Sequence, residues 1–289
     1  MVGVEFLKGH GTQNDFVLLP DVDGALELTQ ARVRALCDRR RGIGADGVLR
    51  VVATDHVPDL ASFGAVGDAK WFMDYRNADG SIAEMCGNGV RVFTRYLVEV
   101  GLAEAGEFTI ATRAGTRRVV VPPADPAGTV TVEMGKVGIL GRSTATVAGR
   151  SVTGVAVDVG NPHLVCALDG TGLDLAGLDL SVPPGHDPSF FPHGVNVEFV
   201  NQLSADALRM RVHERGVGET RSCGTGTVAA VAATLHLADR ASAEVAVHVP
   251  GGTVVVAIDD HQATLTGPAV LVARGELDEQ WWASANQPG

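Results

Sequence analysis

The chain has few of the features that mark a nucleic-acid-binding, membrane or disulfide-rich protein. Only 5% of its 289 residues are aromatic, and 23 Lys and Arg against 34 Asp and Glu give a net charge of −11. Broad affinity for nucleic acid is therefore not expected. No run of about 18 apolar residues is free of charge and glycine, so no membrane-spanning helix is expected either.

Cysteine is also scarce. The four cysteines, at positions 37, 86, 166 and 223, lack the close pairing of a metal site or a small disulfide framework. We therefore expect no metal. The first six residues contain no basic segment leading into a long apolar one, which argues against a secretory signal. These features favour a cytoplasmic protein with reduced thiols, long enough for one large core or two medium-sized cores.

Two of the cysteines begin the same type of helix. Cys-Gly-Asn-Gly at 86–89 and Cys-Gly-Thr-Gly at 223–226 each precede an apolar helical segment. A thiol at a helix N-terminus lies at the positive end of the helix dipole, which favours the thiolate. The glycines leave the first-turn amides open to a small carboxylate or phosphate. The amides concerned are those of Gly87, Asn88, Gly224 and Thr225.

The cysteine motifs belong to a longer internal repeat. Asn77 precedes Cys86 by nine residues, as Glu214 precedes Cys223, and each follows a strand-like segment. A weaker similarity relates the glycine–asparagine loops within 8–19 and 158–166. The repeat predicts two similarly built halves with a site between them.

We place the first half at 1–133 together with 267–289, and the second half at 134–266. A helix is predicted over 29–39 with Thr29 as its N-cap, in addition to the two cysteine helices. Strands are predicted at 109–112, 118–121, 130–134, 195–200, 208–212, 244–249, 252–258 and 263–266.

The two cysteine helices are expected to lie inside rolled sheets. The helix after Cys223 is apolar on nearly every side, which is typical of a helix buried all round. The helix after Cys86 is expected to be buried more loosely, because Arg91 and Arg95 would need access to solvent.

A pair of thiols can invert a carbon that carries a carboxylate and an ammonium group. The hydrogen of this carbon is very weakly acidic, so its removal needs a nearby base and stabilisation of the charge that moves to the carboxylate. A thiolate on one face and a thiol on the other would perform the inversion, and we expect Cys86 and Cys223 to do so. A disulfide between them, as an oxidised by-product or a switch, stays open. Cys37 and Cys166 are expected to be structural.

Several polar residues near these motifs are further candidates. His163 follows an Asn-Pro turn and is the histidine best placed to act on a proton. Glu214 and Arg215 could hold an ammonium and a carboxylate, or could form only a solvated pair. Four asparagines could contact a substrate, although any one of them could be a simple turn residue. They are Asn14, Asn77, Asn161 and Asn196.

Together these motifs closely resemble those of the diaminopimelate epimerases, which are cofactor-independent amino-acid racemases. The resemblance covers 8–252, and the motifs are specific only in combination. The strongest are Asn-Ala-Asp-Gly at 77–80, Met-Cys-Gly-Asn-Gly at 85–89, Gly-Asn-Pro-His at 160–163 and Glu-Arg-Gly-Val-Gly-Glu-Thr at 214–220, together with the second cysteine motif.

The resemblance implies an α/β fold of two pseudo-symmetric halves. Each half would be a curved, mostly antiparallel sheet around a central helix, with the active site in the cleft between the halves. The implied activity is interconversion of L,L- and meso-diaminopimelate, in lysine and cell-wall precursor biosynthesis. The family precedent is a homodimer that uses neither pyridoxal phosphate nor metal.

The resemblance also implies roles for individual residues. Cys86 and Cys223 match the base and the acid, with His163 thought to assist the first cysteine and Glu214 the second. Asn14 and Glu214 would hold the reacting ammonium group. The distal amino-acid end of the substrate would be bound by Asn77, Asn161, Asn196 and Arg215.

Three positions depart from the family pattern. Gln13 stands where relatives usually have glycine, so the loop before Asn14 is expected to differ in shape. Ser222 replaces a common alanine. Gly47 stands where some relatives have glutamine, which leaves one polar contact open.

Two other functions stay open. A proline- or hydroxyproline-type racemase is one, although the polar distal set argues against a small cyclic substrate. A redox-sensing binding protein, whose cysteines only form a disulfide, is the other.

Overall fold

The computed structural model describes residues 3–64, 67–125 and 127–286. The chain divides into two compact units, Met1–Val132 with Pro268–Gly289, and Glu133–Gly267. The sequence places these boundaries after residues 133 and 266, whereas the units change after Val132 and Gly267. Residues 1–2 and 287–289, which the sequence assigns to the first half, lie outside the described residues.

The first unit is built on a mixed sheet. Its strands are β1 (Val4–Gly11), β2 (Asn14–Pro20), β3 (Gly47–Ala53), β4 (Trp71–Asn77), β5 (Gly106–Thr112), β6 (Gly115–Val121), the start of β7 (Thr129–Lys136), and β18 (Val270–Leu277). They pair in the order β18-β1-β2-β3-β4-β5-β6-β7. The β2–β3 and β4–β5 pairs are parallel and the others antiparallel. Short 3-10 turns at Thr54–His56 and Leu60–Phe63 follow β3.

Helix α2 (Gly87–Glu99) lies inside this sheet. It contacts β1, β2, β3, β4, β6 and β18, and its residues up to Leu97 are buried. The sheet therefore curves around the helix, as expected. The expectation that Arg91 and Arg95 reach solvent is wrong, because 0% and 4% of their surfaces are exposed. Both guanidinium groups donate to protein oxygens instead, including the Pro268 and Gly128 carbonyls.

The outer face of the first sheet is covered by two helices. Helix α1 (Gln30–Cys37) begins after Thr29, whose side chain accepts from the amide of Arg32, as predicted. The helix ends two residues earlier than predicted, because Asp38 has an extended backbone. The C-terminal helix α4 (Glu279–Ser284) was not predicted, and its Trp281 packs against the same hydrophobic cluster as α1.

The second unit has a similar sheet. Its strands are β8 (Gly138–Val147), β9 (Arg150–Asp158), β10 (Pro162–Ala167), β11 (Gly185–His186), β12 (Asn196–Ser204), β13 (Ala207–Glu214), β14 (Gly218–Thr220), β15 (Ala243–Val249), β16 (Gly252–Asp259) and β17 (Gln262–Pro268). Helix α3 (Gly224–Leu237) contacts β8, β9, β10, β12, β13, β15 and β16. Nearly all of it before His236 is buried, which confirms the expectation of a helix enclosed by its sheet.

Strand pairing reveals the internal repeat. The second unit pairs in the order β8-β9-β10-β12-β13-β15-β16-β17, with β10–β12 and β13–β15 parallel and the other pairs antiparallel. The first unit has the same succession of orientations, with α2 and α3 at equivalent places after β4 and β13. The predicted α/β fold of two pseudo-symmetric halves is thus confirmed. The predicted strand segments all fall in strands, apart from Val195, which precedes β12.

Candidate active site

Cys86 lies at the N-cap of α2 in the first unit. Its backbone is extended (φ −141°, ψ 119°), and its carbonyl accepts the first helical hydrogen bond, from Val90 at 2.8 Å. The thiol is half-buried and donates to Asn14 Oδ1 at 3.6 Å. Asn14 begins β2, which is adjacent to β1, so the sheet brings this side chain to the start of the helix. The structure therefore places two predicted site residues in direct contact.

Two hydrogen bonds fix the orientation of the Asn14 side-chain amide. Its Nδ2 donates to Asp46 Oδ2 at 2.7 Å, while its Oδ1 accepts from Asn88 Nδ2 at 3.2 Å. Asp46 in turn accepts from Arg39 at 2.8 Å. The Asp46 contact directs the carbonyl end of Asn14 toward Cys86, which is the end that can accept from an ammonium group.

Arg91 is a buried cation one turn into the same helix. Its Nη2 donates to the Thr12 hydroxyl at 3.0 Å and its Nε to the Pro268 carbonyl at 3.3 Å. Complete burial lowers the pKa of Arg91 to about 10, and the nearby Cys86 opposes this decrease. Arg91 therefore holds the turn before Asn14 against α2 and contributes positive charge near the first thiol.

The turn between β1 and β2 explains the departure at Gln13. Both turn residues have positive φ, 49° for Thr12 and 63° for Gln13. Left-handed residues at both central positions are typical of a type I′ hairpin turn, in which glycine is favoured. Gln13 adopts the conformation that a glycine would adopt. Holding a non-glycine residue in this conformation costs some strain, and a difference in loop shape from relatives stays a prediction.

Gly47 has no room for a side chain. A Cβ atom there would lie 2.6 Å from the Arg76 carbonyl oxygen and 2.7 Å from the Tyr75 ring. The residue begins β3 and pairs with Asn77 across the sheet. A larger residue at this position would require the strands to move apart.

Cys223 occupies the equivalent N-cap of α3 in the second unit. Its Sγ accepts from the Gly226 amide at 3.4 Å and lies 3.5 Å from Thr225 Oγ1. Only 6% of the residue is exposed, and burial raises its pKa well above the usual value, with Glu214 and Glu198 adding to the increase. The helix dipole predicts a thiolate here, but desolvation outweighs it, so Cys223 is a thiol at neutral pH.

Glu214 ends β13, next to this thiol. It accepts a short hydrogen bond from the Thr220 hydroxyl. Burial raises the pKa of Glu214, while its hydrogen bonds with Thr220 and Cys223 oppose the increase. The hairpin of β13 and β14 thus brings a carboxyl group into contact with the second thiol, as the equal nine-residue spacing suggests.

His163 is the second residue of β10, near Glu214, and is fully buried. Its Nε2 lies 3.0 Å from Asn161 Oδ1, and its Nδ1 lies 2.7 Å from Glu198 Oε1. Both ring nitrogens are therefore engaged by residues of the second unit. Sequence reasoning missed Glu198, although a single acidic residue in the apolar segment Val-Asn-Val-Glu-Phe-Val is a usable signal.

The remaining predicted site residues occupy strand ends and turns. Asn77 ends β4, and its Nδ2 donates to Ser81 at 3.0 Å. Asn196 begins β12. Its Nδ2 donates to the Pro162 carbonyl at 3.3 Å, and its Oδ1 accepts from the backbone amide of Arg215 at 2.9 Å. An amide can make four hydrogen bonds, so both asparagines keep groups for a ligand. Arg215 is exposed and donates to the His193 carbonyl. The roles of these residues stay predictions.

Three further observations concern metal sites, membrane helices and the cysteines. In the part of the chain that the structure describes, His, Cys, Asp and Glu side chains form no group of three or more suited to a metal ion. No helix of this part combines the length and the apolar character needed to cross a membrane. All four cysteines are free thiols, with Cys37 and Cys166 buried.

Comparison with known proteins identifies the family. The family model described as diaminopimelate epimerase matches residues 6–140 and 155–272. The chain belongs to the diaminopimelate epimerase family. A diaminopimelate epimerase of Rhodococcus opacus (strain B4) is 56% identical over 286 residues, covering 96% of this chain and 99% of the relative. The one from Mycolicibacterium smegmatis is 55% identical over 290 residues, covering 96% and 98%.

Solved structures show how widely the fold of this epimerase family extends. A hydroxyproline epimerase from Agrobacterium vitis aligns with a TM-score of 0.67 at 16% identity, covering 96% of this chain and 94% of that one. A Bacillus anthracis phenazine biosynthesis protein of the PhzF family aligns with a TM-score of 0.66 at 15% identity, covering 96% and 99%. At these identities the similarity concerns the fold alone.

Proposed function

We propose that this chain inverts the α-carbon of L,L-diaminopimelate to give meso-diaminopimelate, in lysine and cell-wall precursor biosynthesis. Membership of the diaminopimelate epimerase family supports the reaction. The observation that carries the mechanism is the repeat itself. Cys86 and Cys223 occupy the same N-cap position on two equivalent helices, each enclosed by an equivalent sheet.

The proposed mechanism uses the two thiols as base and acid. In the direction from L,L to meso, the Cys86 thiolate removes the α-proton and becomes a thiol. The electron pair moves toward the substrate carboxylate, whose charge the first-turn helix amides stabilise. The Cys223 thiol donates its proton to the opposite face and becomes a thiolate. We assign Cys223 as the acid in this direction because its raised pKa favours the protonated form.

Substrate contacts follow from the site on each unit. Asn14 Oδ1 and the Glu214 carboxyl group would hold the reacting ammonium group. The amides of Gly87, Asn88, Gly224 and Thr225 would bind the reacting carboxylate. The distal amino-acid end would be bound by Asn77, Asn161, Asn196 and Arg215. Such a site rejects shorter substrates, because its polar groups would be left unpaired.

We also propose, on the family resemblance, a cytoplasmic homodimer that works without pyridoxal phosphate. Sedimentation of the purified enzyme tests the oligomeric state, with a single species of twice the chain mass expected. A monomer with full activity would contradict the homodimer and leave the reaction unaffected.

The reaction is tested by measuring epimerisation of L,L-diaminopimelate. We expect near-complete loss of turnover in Cys86→Ala and in Cys223→Ala. Cys37→Ala and Cys166→Ala serve as matched controls that keep turnover, because these two thiols belong to hydrophobic clusters and neither begins a helix. Full activity in either N-cap variant would refute the mechanism.

Two outcomes would favour other functions. Exchange of the α-proton of proline or trans-4-hydroxy-L-proline, without exchange for diaminopimelate, would indicate a proline-type racemase. No turnover of any amino acid, together with reversible disulfide formation, would indicate a redox-sensing protein.

A further inference from the structure

A buried acid–imidazole pair lies beside the second thiol. Glu198 and His163 are both 0% exposed, and their Oε1 and Nδ1 atoms lie 2.7 Å apart. They come from parallel neighbouring strands, β10 and β12, in which His163 pairs with Asn196, two residues before Glu198. Alternation along a strand puts Asn196 and Glu198 on one face, so the sheet register brings the pair together.

The hydrogen-bond geometry fixes how many protons the pair holds. Asn161 Oδ1 can only accept, so His163 Nε2 carries a hydrogen and donates it. One more proton lies between Nδ1 and Glu198 Oε1. Either the ring carries it, as imidazolium beside carboxylate, or the acid carries it beside a neutral ring. The net charge is zero in both cases.

A second observation indicates which form prevails. Glu198 Oε2 is buried and has no hydrogen-bond partner among the described residues. An ionised carboxylate with an unpaired, desolvated oxygen is far less favourable than a neutral acid. Burial likewise raises the pKa of Glu198, with His163 opposing the increase. Both observations favour Glu198 as the neutral acid over the carboxylate.

The pair lies next to Cys223. A methyl group on Gly226 would be 2.7 Å from Glu198 Oε1 and 3.3 Å from Cys223 Sγ, so both atoms border the same point on the first turn of α3. The other titratable groups that interact with the pair are Glu214 and Cys166. A full negative charge on Glu198 would oppose formation of the Cys223 thiolate, which the reverse reaction requires.

We propose that Glu198 is a positioning residue. It shares one proton with His163 Nδ1, and this contact holds the ring so that its Nε2–H donates to Asn161. This bond occupies Asn161 Oδ1 and leaves its Nδ2 amino group, which has no partner among the described residues, to bind a substrate carboxylate. Asn161 is thereby held with its Nδ2 group available to donate to the substrate. The inference rests on the proposed function, because Asn161 is one of the residues proposed there to bind the substrate.

The substitutions that separate the roles are Glu198→Gln and Glu198→Ala. A Gln side chain can donate Nε2–H to His163 Nδ1, so the ring keeps its Nε2–H bond to Asn161. We expect Glu198→Gln to keep kcat/KM for L,L-diaminopimelate within about threefold of the wild type, since one neutral donor replaces another. We expect Glu198→Ala to raise KM at least about tenfold, the equivalent of one lost hydrogen bond, with a smaller change in kcat.

Rescue by the conservative variant is a readout that a purely structural role would not give, because Glu198→Gln should restore the KM that Glu198→Ala loses. Glu244→Gln, which changes an exposed glutamate on β15, is the matched control and should behave as the wild type.

Nitrogen-15 NMR of the wild-type enzyme tests the pair without any substitution. We expect a His163 ring protonated at Nε2 at every pH between 6 and 9. A ring protonated only at Nδ1 would overturn the proposal, as would an unchanged KM in Glu198→Ala. An increase in KM in Glu198→Gln as large as that in Glu198→Ala would overturn the proposal too. If the wild type fails to epimerise diaminopimelate, the proposed function falls, while the NMR result still tests whether His163 Nε2 donates to Asn161.

Discussion

A methyl group added to the first turn of α3 should destabilise the protein, although the same change usually stabilises a helix. Replacing glycine by alanine inside a helix normally gains about 0.5–1 kcal/mol. At Gly226 the new Cβ would lie 2.7 Å from Glu198 Oε1, and that oxygen is held by its bond to His163. Relieving such a contact inside a packed core costs about 1–3 kcal/mol.

The internal repeat supplies a matched control. Gly89 occupies the same helix position in α2, three residues after Cys86. A Cβ there would meet the end of the flexible Leu49 side chain at 3.2 Å, with Phe16 at 3.5 Å. We therefore expect Gly89→Ala to be nearly neutral, because the helix gain and the small repacking cost are similar in size.

The two variants are compared by thermal unfolding and by kcat/KM. Gly226→Ala should lower the free energy of unfolding by about 1–2 kcal/mol, a few degrees in Tm for a protein of this size. It should also reduce kcat/KM more than tenfold, because it pushes Glu198 away from His163 and crowds Cys223. A Gly226→Ala protein as stable and active as the wild type would refute this reading of the second site.

Two further predictions concern the first site and the thiols. Asp46→Ala should lower kcat/KM for diaminopimelate about tenfold, because the Asn14 side-chain amide loses the charged partner that orients it. Steady-state kinetics would measure this, and an unchanged kcat/KM would contradict the prediction. In the native protein, iodoacetamide should modify Cys223 faster as pH rises from 7 to 10, since its raised pKa leaves little thiolate at neutral pH. Peptide mass spectrometry should show Cys37 and Cys166 unmodified, because burial raises the pKa of each to about 12. Fast, pH-independent modification of Cys223 would contradict its assignment as a thiol at neutral pH.

Much of the architecture can be predicted from local signals. Thr29 caps α1 because a hydroxyl at that position accepts from a first-turn amide, and this is readable from sequence. The enclosed position of α3 follows from its nearly uniform apolar surface. The equal spacing of Asn77 and Glu214 from their cysteines reflects two strands, β4 and β13, that end at equivalent places.

The rest depends on partners that are distant in sequence. Arg91 was expected to reach solvent because an isolated arginine is rarely buried, and its partner Pro268 is 177 residues away. Desolvation of Cys223 outweighs the helix dipole, a balance that only the folded environment decides. Glu198 acquires a role through the register of two parallel strands, which no local pattern specifies.

Deuterium incorporation at low conversion tests the central mechanism most directly. In deuterated water, L,L-diaminopimelate should yield meso product that carries one deuterium at the inverted carbon, while the remaining substrate stays unlabelled. This result is predicted because one thiol removes the proton and a second, solvent-exchanged thiol delivers another to the opposite face. Equal early labelling of substrate and product would contradict the account, since it would mean that a single group acts on both faces.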